Sequence, residues 1–180
     1  MAHKPTRRHS SSSDLSLYFG EDAAWRAILP TPWADNMDTL IKPQHALSSK
    51  ELDAIEVHLY EHNSQATGRR DGQGLGFVIH DDLGQMIGAA AGYTWAGISE
   101  LRQMWVDERY RGRGYARALL DAFVTEAGNR GVRRIWVSSY DFQAPEMYEK
   151  AGFKRMAEFK DWPEGHVNVV LCKILTDRDK

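Results

Sequence analysis

The feature that most constrains this 180-residue chain is a passage of three elements between Ile98 and Ser139. "ISELRQMWVD" reads as a strand ending near Val106. "ERYRGRGY" turns the chain, and a helix starts near Arg113 or Gly114. Ala116, Leu119, Leu120, Phe123 and Ala127 mark one face of that helix, and Gly128 and Gly131 are expected to end it. "VRRIWVSS" follows as an apolar, β-branched strand of the kind that is buried on both faces. The rest of the chain reads mostly as hairpins, so a strand–helix–strand passage inside it implies a mixed sheet.

The flanking segments fit that sheet. "LGFVIHDDLGQMIGAAAGYTW" predicts two strands around an Asp-Asp-Leu-Gly turn, and Ala96-Gly97 turns into the third. Upstream, Ser48 and Glu51 form a capping box. Leu52, Ile55 and Leu59 then predict a helix from about Ser49 to His62. Residues 63–74 read as a polar, glycine-rich loop. Downstream, Pro145 suits the first turn of a short helix closed by Gly152. "FKRMAEF" and "HVNVVLCKIL" are two last strands around "KDWPEG". The expected fold class is α/β (α+β), a mixed and mostly antiparallel sheet of six or seven strands with helices on both faces.

Three segments are expected along the chain. Residues 1–13, "MAHKPTRRHSSSS", are basic, Ser-rich and free of acids, which suits a disordered tail; a mitochondrial leader shares the composition. Residues 14–46 form an N-terminal extension, with a short helix near Asp22 to Ile28 and a strand near Thr39 to Lys42. Residues 47–176 form the main domain. The net charge of −2 gives no basic field for nucleic acid or an anionic membrane, and no apolar run approaches a membrane span. The single cysteine, Cys172, excludes an internal disulfide and a four-cysteine zinc site. A cytoplasmic protein is the expectation.

The glycines of the turn carry the chemistry. Gly112 and Gly114 let backbone N–H groups converge with no Cβ in a ligand's way. The free N–H groups and positive dipole end of the following helix attract an anion, and Arg109, Arg111 and Arg113 surround them. A phosphate or diphosphate cradle follows. The third glycine of a dinucleotide fingerprint and the Gly-Lys-Ser/Thr of a triphosphatase loop are both missing.

Arg109-x-x-Gly112-x-Gly114 followed by Ala116 resembles the acetyl-CoA signature, Arg/Gln-x-x-Gly-x-Gly/Ala, of the GCN5-related N-acetyltransferases (GNAT). "MWVDERY" is similar to the strand end before that signature. "APEMYEKAGF", Ala144 to Phe153, resembles the family's later helix. The resemblance covers roughly Leu52 to Leu175. It implies the GNAT acyl-CoA N-acyltransferase fold and acetyl transfer from acetyl-CoA to a primary amine, on a small molecule or a peptide, in a direct ternary complex. The pantetheine arm would pair with Met104 and Val106. The diphosphate would meet the N–H groups of Arg111, Gly112, Arg113, Gly114, Tyr115 and Ala116. A backbone N–H near Met104 or Trp105 would stabilise the oxyanion.

The resemblance also implies catalytic residues. Tyr148 stands where the family carries its general acid, and a neutral phenol can donate to the leaving thiolate. Glu100, on the strand leading to the signature, where some members hold a carboxylate, would take the amine proton through water. Apart from the resemblance, His166, after "WPEG", is a second candidate to line the acceptor site or act as base through water at neutral pH. Asp141 stands where many members carry an Asn bonded to cofactor or nearby backbone; Ser138 and Ser139 could substitute there. A homodimer paired through the last strands is left open by the resemblance. The alternative reading is a catalytically inactive acetyl-CoA-binding regulatory or interaction module.

Other constellations carry less. His58 and His62 are four apart on a predicted helix, but Leu59 stands where a zinc protease needs Glu, and no third ligand is evident. No metal is expected. Cys172 lies within a strand, which suits a buried small residue better than a nucleophile. Trp25, Trp33, Trp95 and Trp162 are candidates to wall an acceptor pocket.

Overall fold

The structure, a computed structural model, describes residues 46–176. The tail, the helix expected near Asp22 to Ile28 and the strand expected near Thr39 to Lys42 lie outside the described residues. The chain divides into two compact units, Met1–Asp53 and Ala54–Lys180, so the division falls inside the first described helix.

That helix, α1, spans Ser49–Thr67. Its cap forms as the residue types dictate: Glu51 N–H donates to Ser48 Oγ at 3.3 Å, and Ser48 N–H donates to Glu51 Oε2 at 2.7 Å. The helix runs past His62, which contradicts the expected loop from residue 63. Residues 63–67 lack the apolar spacing that marks a helix, but they bond like one. Gln65 donates to Glu61 at 3.1 Å, and the Thr67 hydroxyl donates to Asn63 C=O at 2.7 Å.

Six strands follow: β1 Gln73–His80, β2 Met86–Trp95, β3 Ile98–Val106, β4 Arg134–Tyr140, β5 Lys154–Lys160 and β6 Val167–Ile174. Helices α2, Tyr115–Asn129, and α3, Pro145–Lys150, connect β3 to β4 and β4 to β5. The sheet order is β1-β2-β3-β4-β6-β5. Every neighbouring pair is antiparallel except β3 with β4, the two strands joined by the α2 crossover. The mixed, mostly antiparallel sheet expected from the sequence is therefore present.

The core lies on one face. Leu119, Leu120, Phe123 and Ala127 of α2 share one buried cluster with Leu101, Ile135, Val137, Val169 and Leu171 of the sheet. Phe123 is fully enclosed, so its loss to Ala would cost about 3–5 kcal/mol. Tyr148 of α3 and Phe153 join the same cluster. From α1, Glu56 reaches Arg102 of β3 at 3.8 Å.

The end of α2 corrects one expectation. Gly128 lies inside the last turn and is buried, while Gly131, at φ 77°, ends the helix. Val132 N–H donates to Ala127 C=O at 3.0 Å and Gly131 N–H to Gly128 C=O at 2.9 Å. That pair of bonds needs a left-handed residue at position 131, and Gly supplies it.

Candidate active site

Strands β3 and β4 separate partway along their length. They are paired from Ile98↔Arg134 to Leu101↔Val137. Past that point β3 stays on β2 as far as Val106, and β4 stays on β6 as far as Tyr140. A bulge lies at the point of divergence. Leu101 opposes Gly92 and Gln103 opposes Ala91, so Arg102 has no partner on β2. An extra residue bends the strand that carries it. The resulting opening is a cavity of about 680 Å³. Met104 and Trp105 line one wall, Ser138 and Tyr140 the other, and Tyr148 and Gln143 also border it.

Strand periodicity orients the backbone of this wall. Asp107 N–H donates to Ile87 C=O of the β2 strand at 2.9 Å. Successive residues of a strand alternate. Met104 and Val106 therefore point their N–H and C=O groups away from β2, and Met104 lines the opening. Trp105 turns its N–H to β2, leaving Met104 as the better placed of the two oxyanion donors considered from the sequence.

The turn after β3 is stiff. The Asp107 side chain caps a short 3-10 turn, Glu108–Tyr110, by accepting from Arg109 N–H at 2.9 Å. The Arg109 guanidinium also bonds Asp107 and holds its carboxyl at about 2. Tyr110 donates to Asp81 of the β1–β2 turn at 3.3 Å. Each arginine is engaged. Arg111 donates through Nε to Val106 C=O at 3.1 Å and meets Glu108 at 3.3 Å, and Arg113 lies over the Tyr110 ring.

What this turn presents is backbone. Gly112 and Gly114 sit at φ 73° and 85°, and nothing lies within 4 Å of a Cβ built on either. Among the described residues, the N–H groups of Gly112 to Arg117 donate to no protein acceptor; Ala118 makes the first helical bond, to Gly114 C=O at 3.0 Å. A run of such amides at a helix N-terminus suits a diphosphate. The signature also fits one step along, as Arg111-x-x-Gly114-x-Ala116. In that frame its last glycine is the residue directly before α2.

The residues expected to react are placed unevenly. Tyr148 is buried, packs edge-on against Phe153 and lines the cavity. Desolvation pushes its phenol up to about 12. The group stays protonated at neutral pH. Its pKa exceeds an ordinary thiol's by about 3–4 units, so full transfer to a thiolate is uphill by roughly 5 kcal/mol. It is suited to donate a hydrogen bond as charge grows on sulfur.

Glu100 stands outside the cavity lining. Its carboxylate accepts from Arg102 Nε at 3.1 Å, and Arg102 covers the Tyr93 ring at 4.5 Å. Asp141 is also outside the lining, and its partner is His166: Nδ1 and Oδ1 are 3.1 Å apart. Ser138 bonds Asn168 at 2.5 Å, while the Ser139 hydroxyl and the Tyr140 N–H both donate to Gln143 Oε1. Cys172 is half-buried within β6. Among the described residues, no three His, Cys, Asp or Glu side chains are grouped as a metal site requires.

Two features escaped the sequence reading, the bulge at Arg102 and the Asp141–His166 pair. An isolated glycine inside a strand is the signal for the first, and Gly92 is that glycine. The second joins residues 25 positions apart and has no local signal.

The family model described as Acetyltransferase (GNAT) family matches residues 34–153. Acetyltransferase Atu2258 of Agrobacterium fabrum is 29% identical over 103 residues, covering 57% of this chain and 75% of that protein. Blasticidin-S acetyltransferase of Streptomyces morookaense is 29% identical over 95 residues, 52% of this chain and 70% of that one. A solved acetyltransferase structure from Bacillus cereus ATCC 14579 shares the fold with a TM-score of 0.63 at 26% identity, over 74% of this chain and 98% of that one. The family match spans more than half of the chain, on a mixed sheet with helices on both faces, and the protein therefore belongs to the GNAT acetyltransferase family.

Proposed function

We propose that the protein transfers acetyl from acetyl-CoA to a primary amine within a ternary complex. One observation carries this reading: Met104 of β3 and a protonated phenol line the opening between β3 and β4, and β3 leads from it into a turn whose amides are unbonded. The diphosphate would rest on the N–H groups of Gly112 to Arg117. The pantetheine arm would pair with Met104 and Val106 as an added strand, and the acyl carbonyl would meet the Met104 N–H. Arg111 holds the Val106 carbonyl, so the arm would replace that guanidinium there.

The reaction joins the amine nitrogen to the acyl carbon and breaks the carbon–sulfur bond. An ammonium has no lone pair, so the amine must first lose a proton. Tyr148 would donate to the leaving sulfur. Glu100 and His166 are the two groups carried forward as proton acceptors.

The test is release of free thiol from acetyl-CoA over a panel of polyamines, aminoglycosides, amino acids and peptides. Blasticidin S joins that panel because the name of one relative carries it. Amine-dependent release is expected. Calorimetric binding of acetyl-CoA without release from any acceptor would assign the chain to the regulatory alternative.

A further inference from the structure

The geometry points to Asp141 as a positioning residue for His166, and to His166 Nε2 as the atom that takes the acceptor's proton. This rests on the acetyltransferase reading above and chooses between its two candidate bases. The pair joins two separate segments. Asp141 N–H donates to Val167 C=O at 2.9 Å, fixing the end of β4 against the start of β6. His166 N–H donates to Pro163 C=O at 2.9 Å, and His166 C=O accepts from Trp162 N–H at 3.2 Å. The ring stands edge-on to Phe142 at 4.9 Å, and Phe142 stacks on Tyr140, which lines the cavity. Backbone, carboxylate and aromatic contacts thus hold the imidazole in place, one ring removed from the Tyr140 wall of the cavity.

A carboxylate accepts and cannot donate when ionised, so it selects the tautomer with hydrogen on Nδ1. Nε2 is left with its lone pair. Neither Glu100 nor His166 lines the cavity. What separates them is the partner: Glu100 accepts from the Arg102 guanidinium, a cation that competes for its lone pairs, whereas His166 faces a carboxylate that leaves Nε2 free. Asp141 is the ionisable group that meets the ring from β4. Within the ring's own turn, Asp161 accepts from Gly165 N–H at 3.4 Å.

The proton balance closes. One proton of the acceptor ammonium passes to Nε2, directly or through one water. The freed lone pair forms the nitrogen–carbon bond, and the carbon–sulfur bond breaks. Tyr148 donates a hydrogen bond to the departing sulfur, and the second nitrogen proton passes to that sulfur through water. The imidazolium then discharges to solvent, releasing one proton per amide formed.

The first test needs no turnover. Long-range proton–nitrogen NMR of the labelled full-length protein, with His166 assigned through His166→Gln, reads the tautomer of each ring. Hydrogen on Nδ1 is expected, moving to Nε2 in Asp141→Asn. Hydrogen on Nε2 in the wild type overturns the assignment. Kinetics form the second arm. His166→Gln should lower kcat about 100- to 1000-fold with acetyl-CoA affinity within twofold by calorimetry. In Asp141→Asn kcat should fall with acetyl-CoA affinity unchanged, and Asp141→Glu should restore it. Unchanged kcat in both the Asn and Gln variants also overturns it. Failure of the wild type to bind acetyl-CoA would instead overturn the acetyltransferase reading and leave the NMR result standing.

Discussion

Leu101 and Val137 are the last residues at which β3 and β4 stay paired, and the candidate site opens one residue beyond them. The bulge at Arg102 is opposed by the glycine that makes room for it. A Cβ on Gly92 would stand 1.9 Å from Glu100 C=O and 3.0 Å from the Phe123 ring.

Gly92→Ala should therefore force β2 away from β3. Backbone cannot rotate aside as a side chain can, so the loss should reach about 3 kcal/mol or more. Denaturant unfolding measures it. Wild-type stability in the variant would show that the bulge does not depend on this contact.

Substitutions in the turn separate strain from binding. Gly114→Ala meets no atom within 4 Å, but its φ of 85° costs an L-residue about 1–2 kcal/mol. Gly114→Glu adds a negative charge beside the amides. Its stability should resemble that of the Ala variant, while acetyl-CoA affinity falls by ~100-fold or more. Calorimetry on both variants checks this. Equal affinities would remove the turn from the diphosphate site.

Tyr148→Phe tests the leaving-group step. Turnover should fall about 10- to 1000-fold, with acetyl-CoA affinity within twofold, because the ring still fills the core against Phe153. Unaltered turnover would take the phenol out of the mechanism.

The same residue sets an alkaline stability limit. Its folded pKa, raised to about 12 by burial, exceeds the unfolded value of about 10. The folded state thus holds the proton more tightly. That stabilisation is complete below about pH 10 and is lost as pH rises towards about 12, a change of roughly 3 kcal/mol. Urea unfolding of wild type and Tyr148→Phe across pH 9 to 12 should show the wild type losing that much more. Parallel pH dependences would contradict the burial effect.

The sequence made the sheet legible because its signals were local. Alternation marked the strands, and Ala116, Leu119, Leu120, Phe123 and Ala127 marked α2. The Gly112–Gly114 turn could be read for the same reason. Glycine at two positive-φ positions before an amphipathic helix has a meaning within six residues. The last turn of α1 was hidden because Asn63, Ser64 and Gln65 have no apolar period. The partners of Glu100 and Asp141 were hidden for a different reason. Whether a carboxylate faces a cavity or an arginine depends on strand pairing and on a one-residue bulge, and no local spacing reports either.

The most direct measurement is calorimetric titration of the full-length protein with acetyl-CoA and, separately, with S-acetylpantetheine, which lacks the diphosphate and nucleotide. The account predicts that acetyl-CoA binds ~100-fold or more tightly than the truncated thioester, with the difference abolished in Gly114→Glu. Equal affinity for the two thioesters, or no binding of acetyl-CoA, would contradict it.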